Sequence, residues 1–314
     1  RERLRGAFGP VDWRPMSNVA HLDLNRHYAA GDPRTPGNPE RVCAYALTTV
    51  TSPTTRQALL ELGGSYGDTL QVWLDGRSLT PWPLTIGSAP LYRPVELRAG
   101  DNVLLVKTCE DIGYWYLSPR LTDAEGRDLA DITTEPRLPP KGLEPRTDPA
   151  DAALQLVEGF DAITASGQHE TSYPDYRGGT ESWRVFMREG GELSWRTAAP
   201  ARRQPSVLVF TVSTSDEVGE FALDIDGRYA LTFQSGPGRD PRSWEGDGVR
   251  MTFVSRAGVA GNSGVVLVAV PAGRIAPGRP VELRVRPEGG NEHAWFMIKA
   301  YRDTIAHERL TPAM

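Results

Sequence analysis

Along most of this chain apolar and polar residues alternate with the two-residue period of a β-strand rather than the 3.6-residue period of a helix. Residues 70–74 place Leu70, Val72 and Leu74 on one face. Residues 103–106, 207–212 and 265–270 are nearly continuous apolar runs, as expected of strands covered on both faces. Val185 shares a strand face with Trp183 and Met187, and Leu193 shares one with Trp195; both sets read as core. Helical patterning is almost absent. Residues 149–158, PADAALQLVE, are the one stretch expected to form a turn or two of helix, with Asp148 as its N-cap.

The strand signals recur in order. VWLDGRSLT at 72–80 and LDIDGRYALT at 223–232 both set Asp-Gly after an alternating stretch, which predicts a tight type I′ hairpin in each half. RPVELR occurs at 93–98 and again at 279–284. Each copy enters through a proline, turns Val and Leu to one side and Glu and Arg to the other, and runs through Gly-Asp-Asn or Gly-Gly-Asn toward an apolar strand. Asp75 and Val95 are closer in sequence than Asp226 and Val281, so the second half holds an insertion. Its glycine-rich stretches 236–248 and 257–264 are expected as long loops.

At 314 residues the chain is long enough for two domains with their own cores. The proline-dense segment 135–149, EPRLPPKGLEPRTDP, reads as a stiff linker. The expected organisation is all-β: a sandwich over 1–135, a Pro-rich linker at 136–150, and a second sandwich with long loops over 151–314. A formal charge of −5 argues against nucleic acid as a partner. The longest apolar stretch, 265–271, falls short of the roughly 20 residues that cross a bilayer, so no membrane span is expected. The chain opens at Arg1, which reads as a matured product or an excerpt of a longer protein. If the strand around 44–50 runs antiparallel beside 103–108, Cys43 and Cys109 lie opposite each other. That placement leaves two readings open, a disulfide or two unpaired buried thiols.

The run AYALTTVTSPTTRQALLELGGSYGDTLQVWLDGRSL, followed by VELRAGDNVLLVKTCEDIGYWYLSPRLTDAEGRDL, resembles the galactose-binding-like jelly-roll domains appended to glycoside hydrolases and other polysaccharide-active secreted enzymes. The resemblance covers about residues 1–135 and rests on the VWLDG hairpin, the GDNVLLVK strand and the aromatic strand after it. Asp75-Gly76 stands where that family usually has Asn-Gly, and the turn at 63–68 keeps only Asp68 of the family's acidic residues there. The resemblance implies a jelly roll, an extracellular or periplasmic location, and a polysaccharide partner. The rest of the chain is similar only in its general sandwich pattern.

Reactive constellations are sparse. Residues 63–67 match G-x-S-x-G, but a nucleophile elbow needs a helix after the serine, and here an alternating strand follows. His21, Asp23 and His27 do not have the spacing of a zinc site. Asp101-Asn102 and Glu110-Asp111 are oxygen-rich turns able to supply a structural Ca²⁺, without the spacing of an EF-hand. Glu170, Asp175 and Glu181 supply the carboxylates a glycosidase would require.

Aromatic residues are the stronger signal, because a pyranose presents an apolar C–H face bordered by hydroxyls. Trp82 sits between two prolines, and Tyr114 and Trp115 lie near Glu110; alternation implies that Trp115 and its flanking tyrosines do not all enter the core. His169 and Glu170 precede Tyr173, Asp175, Tyr176 and Arg177, and Trp244 lies in the loop PRSWEGDG. All of these except Glu110, ten residues, are the predicted glycan contacts, and no catalytic residue is predicted. The function expected is a non-catalytic carbohydrate-binding region, with a catalytic domain of the same longer chain as a second partner. The alternatives are a β-sandwich hydrolase or lyase using residues 169–177, and a spacer without a ligand.

Overall fold

Alternation in the sequence becomes strand pairing in the computed structural model, which describes residues 4–6, 9–11, 13, 15–16, 22–29, 42–64, 69–80, 84–85, 91–110, 115–137, 154–157, 163–166, 169–172, 180–186, 191–238, 242–255 and 262–301. The chain divides into two compact units. One comprises Arg1–Thr122, Asp128–Asp151 and Leu310–Met314, the other Asp123–Arg127 and Ala152–Arg309.

The first unit is an antiparallel sandwich. One sheet runs Thr133–Glu135, Val42–Ser52, Gly100–Glu110, Thr69–Leu74, Arg77–Ser78, with Leu84–Thr85 also paired to Thr69–Leu74. The facing sheet runs Leu22–Asp23, Tyr116–Thr122, Arg56–Gly64, Leu91–Leu97. Leu70, Val72, Leu74, Leu104 and Val106 from the first sheet meet Ala58, Leu60, Leu62, Val95 and Leu97 from the second in one buried core. Burial of each Val or Leu side chain contributes about 1.5–3 kcal/mol, which is why the alternation fixes the face each strand turns inward.

The second unit repeats the architecture on a larger scale. Its larger sheet runs His169–Ser172, Thr180–Phe186, Trp295–Tyr301, Ser206–Thr214, Asn262–Val270, Val249–Ser255, Arg242–Gly246. The other runs Thr164–Ser166, Glu192–Thr197, Val281–Gly290, Gly219–Ile225, Arg228–Gln234. Val185, Leu193 and Trp195 are all buried in the shared core, as their alternation predicts.

Both predicted Asp-Gly hairpins form, and the left-handed backbone they need is present, with φ of 50° and 78° at Asp75-Gly76 and 50° and 72° at Asp226-Gly227. Each aspartate also clasps a neighbouring strand. The Asp75 amide donates to the Val103 carbonyl at 2.8 Å, while its Oδ1 accepts the Val103 N–H at 2.7 Å. The Asp226 amide donates to the Glu282 carbonyl at 2.8 Å, and its Oδ1 accepts the Glu282 N–H at 2.9 Å. The two RPVELR copies are not equivalent, however. The first belongs to the sheet facing its Asp-Gly hairpin, and the second lies in the same sheet as its hairpin. What repeats is therefore the aspartate clasp and the strand pattern, not the topology.

Two further expectations are corrected. Residues 155–157 are not helical: Gln155–Val157 is a strand pairing parallel with Ser206–Thr214, because Val157 is buried in the core there; the remainder of 149–153 and residue 158 lie outside the described residues. Among the described residues the α-helix is Leu24–Ala29, whose N-cap is Asp23, its Oδ1 accepting the Arg26 N–H at 2.8 Å. The stretch 236–248 is not simply a loop. Arg242–Gly246 and Val249–Ser255 form a third Asp-Gly hairpin, with φ of 43° and 75° at Asp247-Gly248. Gly246 is required on its own account, since a Cβ there would lie 2.3 Å from the Ala230 carbonyl oxygen.

Candidate functional site

The six-stranded sheet has a second face, opposite the core. Because antiparallel register puts paired residues on one side, three rows lie across it. The first holds Cys43, Cys109 and Thr69; the second Tyr45, Lys107 and Gln71; the third Leu47, Leu105, Trp73 and Ser78. Cys43 and Cys109 are joined by a disulfide that bridges 66 positions of sequence and fastens the two strands beside the second row.

Tyr45 is 53% exposed, among the most exposed large apolar side chains described. Lys107, itself half-buried, extends over it, with Nζ 5.8 Å from the ring centroid in a cation–π arrangement. Trp73, Leu105, Leu47 and Gln71 are half-buried. Tyr45 and Trp73 are separated by two strand spacings and two residues, so their Cα atoms lie roughly 12 Å apart. Among the described residues no carboxylate shares the second or third row.

That composition differs from the outer face of the five-stranded sheet in the other unit. There Arg284 lies 3.3 Å from Glu192 and 3.4 Å from Glu282, and Arg286 lies 3.4 Å from Asp224 and 2.8 Å from Glu288. Such a ladder of matched charges suits water. The Tyr45–Trp73 face combines apolar rings, one amide and one ammonium, a mixture suited to a ligand that is apolar on one side and polar at its rim.

The predicted contacts fare unevenly. Trp115 is corrected: it is 2% exposed, packs with Leu24 and Ala44, and donates its indole N–H to Thr108 Oγ1 at 3.2 Å, so it has no face for a ligand. Trp244 is in a strand rather than a loop, half-buried against Phe233 at 6.0 Å between ring centroids, with the Arg242 guanidinium 5.8 Å from its ring. His169 and Glu170 form backbone pairs with Val185 and Arg184 in the strand His169–Ser172. Trp82, Tyr114, Tyr173, Asp175, Tyr176 and Arg177 lie outside the described residues, as do Asp111 and His21.

Of the oxygen-rich turns, Asp101-Asn102 is fully engaged within the protein. The Asn102 amide nitrogen donates to the carbonyls of Val50, Arg98 and Gly100, its Oδ1 accepts the Arg98 N–H, and Asp101 pairs with Thr51 and Arg137. These contacts tie the start of Gly100–Glu110 to the neighbouring strand and its connections. Among the described residues no group of three His, Cys, Asp or Glu side chains converges on a common point.

The facing sheet carries a polar row in register, a buried Tyr92 beside the half-buried Glu61 and Arg120. Burial raises the Glu61 carboxyl above its ordinary value, against the opposing pull of the Arg120 guanidinium 3.4 Å away. Burial, reinforced by the Glu61 charge, holds the Tyr92 phenol well above its usual range. The Tyr92 phenol therefore keeps its proton at neutral pH.

No known family profile matches the chain, and no curated protein does. Among solved structures it is similar to an anti-sigma factor domain-containing protein, at 11% identity over 91% of this chain and 87% of that one, with a TM-score of 0.27. It is similar to a Pleurotus ostreatus lectin at 9% identity over 96% and 84%, TM-score 0.27. A GH2 β-galacturonidase from Eisenbergiella tayi aligns at 11% identity over 75% of this chain and 36% of its own, TM-score 0.24. At these scores the likenesses carry no argument about activity. What the molecule itself establishes is an all-β chain of two antiparallel sandwiches, with no described helix long and apolar enough to cross a membrane.

Proposed function

We propose that this chain is a non-catalytic glycan-binding region of a polysaccharide-active protein, and that its first unit is a galactose-binding-like accessory domain. One observation carries the reading: Tyr45 and Trp73 share a sheet face with Gln71 and Lys107. Aromatic rings supply stacking area for the C–H face of a pyranose, and an amide and an ammonium beside them supply hydrogen bonds to its hydroxyls. Such a shallow platform gives weak binding per sugar, and a second site on the same chain raises the total by effective concentration. Trp82, Tyr114, Trp244 and the segment from His169 to Arg177 are the candidates for that second contact. The Cys43–Cys109 bond supports an oxidising compartment, extracellular or periplasmic. A catalytic domain elsewhere in a longer chain is the partner that such a region would hold on its substrate.

Affinity electrophoresis through gels containing a panel of soluble polysaccharides tests the reading. At least one glycan retards the wild-type chain, Tyr45→Ala and Trp73→Ala abolish the retardation, and no reducing sugar is released on incubation. Retardation by none of them overturns glycan binding, and released reducing sugar overturns the non-catalytic part.

A further inference from the structure

We infer that the Tyr45–Trp73 face takes an acidic glycan chain, one whose uronate carboxylates meet Lys107. This rests on the glycan-binding reading above and names the class of sugar it recognises.

Lys107 stands at the centre of the face, between Tyr45 and Gln71 in its row and between Leu105 and Cys109 along its strand. No described carboxylate shares those rows, and the ammonium lies against the Tyr45 ring instead. Several other described cations pair with carboxylates. Arg56 pairs with Asp131, Arg98 with Asp75, Arg120 with Asp128 and Glu61, and Arg286 with Asp224 and Glu288. A half-covered ammonium on an otherwise uncharged aromatic surface is complementary to an anion that itself carries apolar area.

A uronic acid residue fits that description. Its ring presents a C–H face to Tyr45 or Trp73, its carboxylate accepts a charge-assisted hydrogen bond from Lys107 Nζ, and a hydroxyl bonds the Gln71 amide. The two aromatic positions lie roughly 12 Å apart across the strands, further than one sugar ring reaches, so the ligand is a chain rather than a single residue. A neutral glycan would leave the ammonium with only water. An acidic peptide would offer carboxylates without flat apolar rings between them.

The test uses the intact chain and three soluble probes: polygalacturonate, alginate and unbranched neutral galactan. At low salt the two uronates bind at least tenfold more tightly than galactan, and Lys107→Gln weakens them by roughly tenfold, as expected for one charge-assisted hydrogen bond. Lys107→Arg retains most of the affinity, and raising NaCl from about 0.05 to 0.5 M weakens the uronates but not galactan. Equal affinity for galactan and the uronates, or a Lys107→Gln variant that binds both uronates unchanged, overturns the acidic class. Galactan binding that Tyr45→Ala removes would leave the glycan reading standing while the acidic class falls. Binding to none of the three removes this inference, and the glycan reading falls separately only if the wider panel is also silent.

Discussion

Replacing Asp75 by alanine is a sharp test of how the first sandwich is held together. The side chain is fully buried, with Oδ1 accepting the Val103 N–H at 2.7 Å and Oδ2 accepting Arg98 Nη2 at 2.8 Å. Alanine strands the buried Val103 N–H, at a cost of about 1–3 kcal/mol. Losing the partner of the half-exposed Arg98 adds about 0.5 kcal/mol. An alanine at φ of 50°, where aspartate is better tolerated, adds about 1 kcal/mol. The total is about 2.5–4.5 kcal/mol, which corresponds to a fall in Tm of roughly 10 °C for a unit of this size. Asp75→Asn keeps the left-handed backbone and an acceptor for Val103, so it costs about 1 kcal/mol. Urea titration followed by circular dichroism reads both. An alanine variant within about 1 kcal/mol of wild type, or an asparagine variant as costly as alanine, would refute the clasp.

The disulfide and the Glu61 carboxylate give two more outcomes. Cys43→Ser with Cys109→Ser removes a link spanning 66 positions, and urea titration should show a loss of about 2–4 kcal/mol, with no loss contradicting a structural role. Glu61 titrates higher in the folded chain than in the unfolded one, so its share of stability is complete below about pH 4.3 and is lost as pH rises through the raised folded value. The stability of wild type relative to Glu61→Gln, measured by thermal melts, should therefore decline from about pH 4.3 toward neutrality. A difference independent of pH would contradict the burial of that carboxyl.

How much of this was legible in the sequence follows from how far each signal reaches along the chain. Local signals worked: the alternation at Leu70, Val72 and Leu74 fixed an inward face, and Asp75-Gly76 and Asp226-Gly227 marked real hairpins. Asp247-Gly248 carried the same signal, but the glycines around it favoured a loop reading. Residues 155–157 had helix-compatible composition, which lost to pairing with Ser206–Thr214, a partner that local propensity does not see. Trp115 was ambiguous because alternation says that neighbours differ without saying which one is inside; Thr108 and Leu24 decide it.

The sheet face was accessible in part. Setting Cys43 opposite Cys109 already places Tyr45 opposite Lys107, and an inward Val72 and Leu74 already turn Trp73 outward. Both are strand residues, so the signal carried by aromatics in loops does not reach them. The lateral order of the strands, which brings Gln71 and Trp73 beside Lys107 and Leu105, needs tertiary structure.

Hydroxyl-radical footprinting of the wild-type chain with and without a polysaccharide that retards it addresses the central claim most directly. Oxidation of Tyr45 and Trp73 should fall on binding, while Tyr229, 50% exposed in the other unit, keeps its rate. Undiminished oxidation of Tyr45 and Trp73 in the bound state would contradict the account.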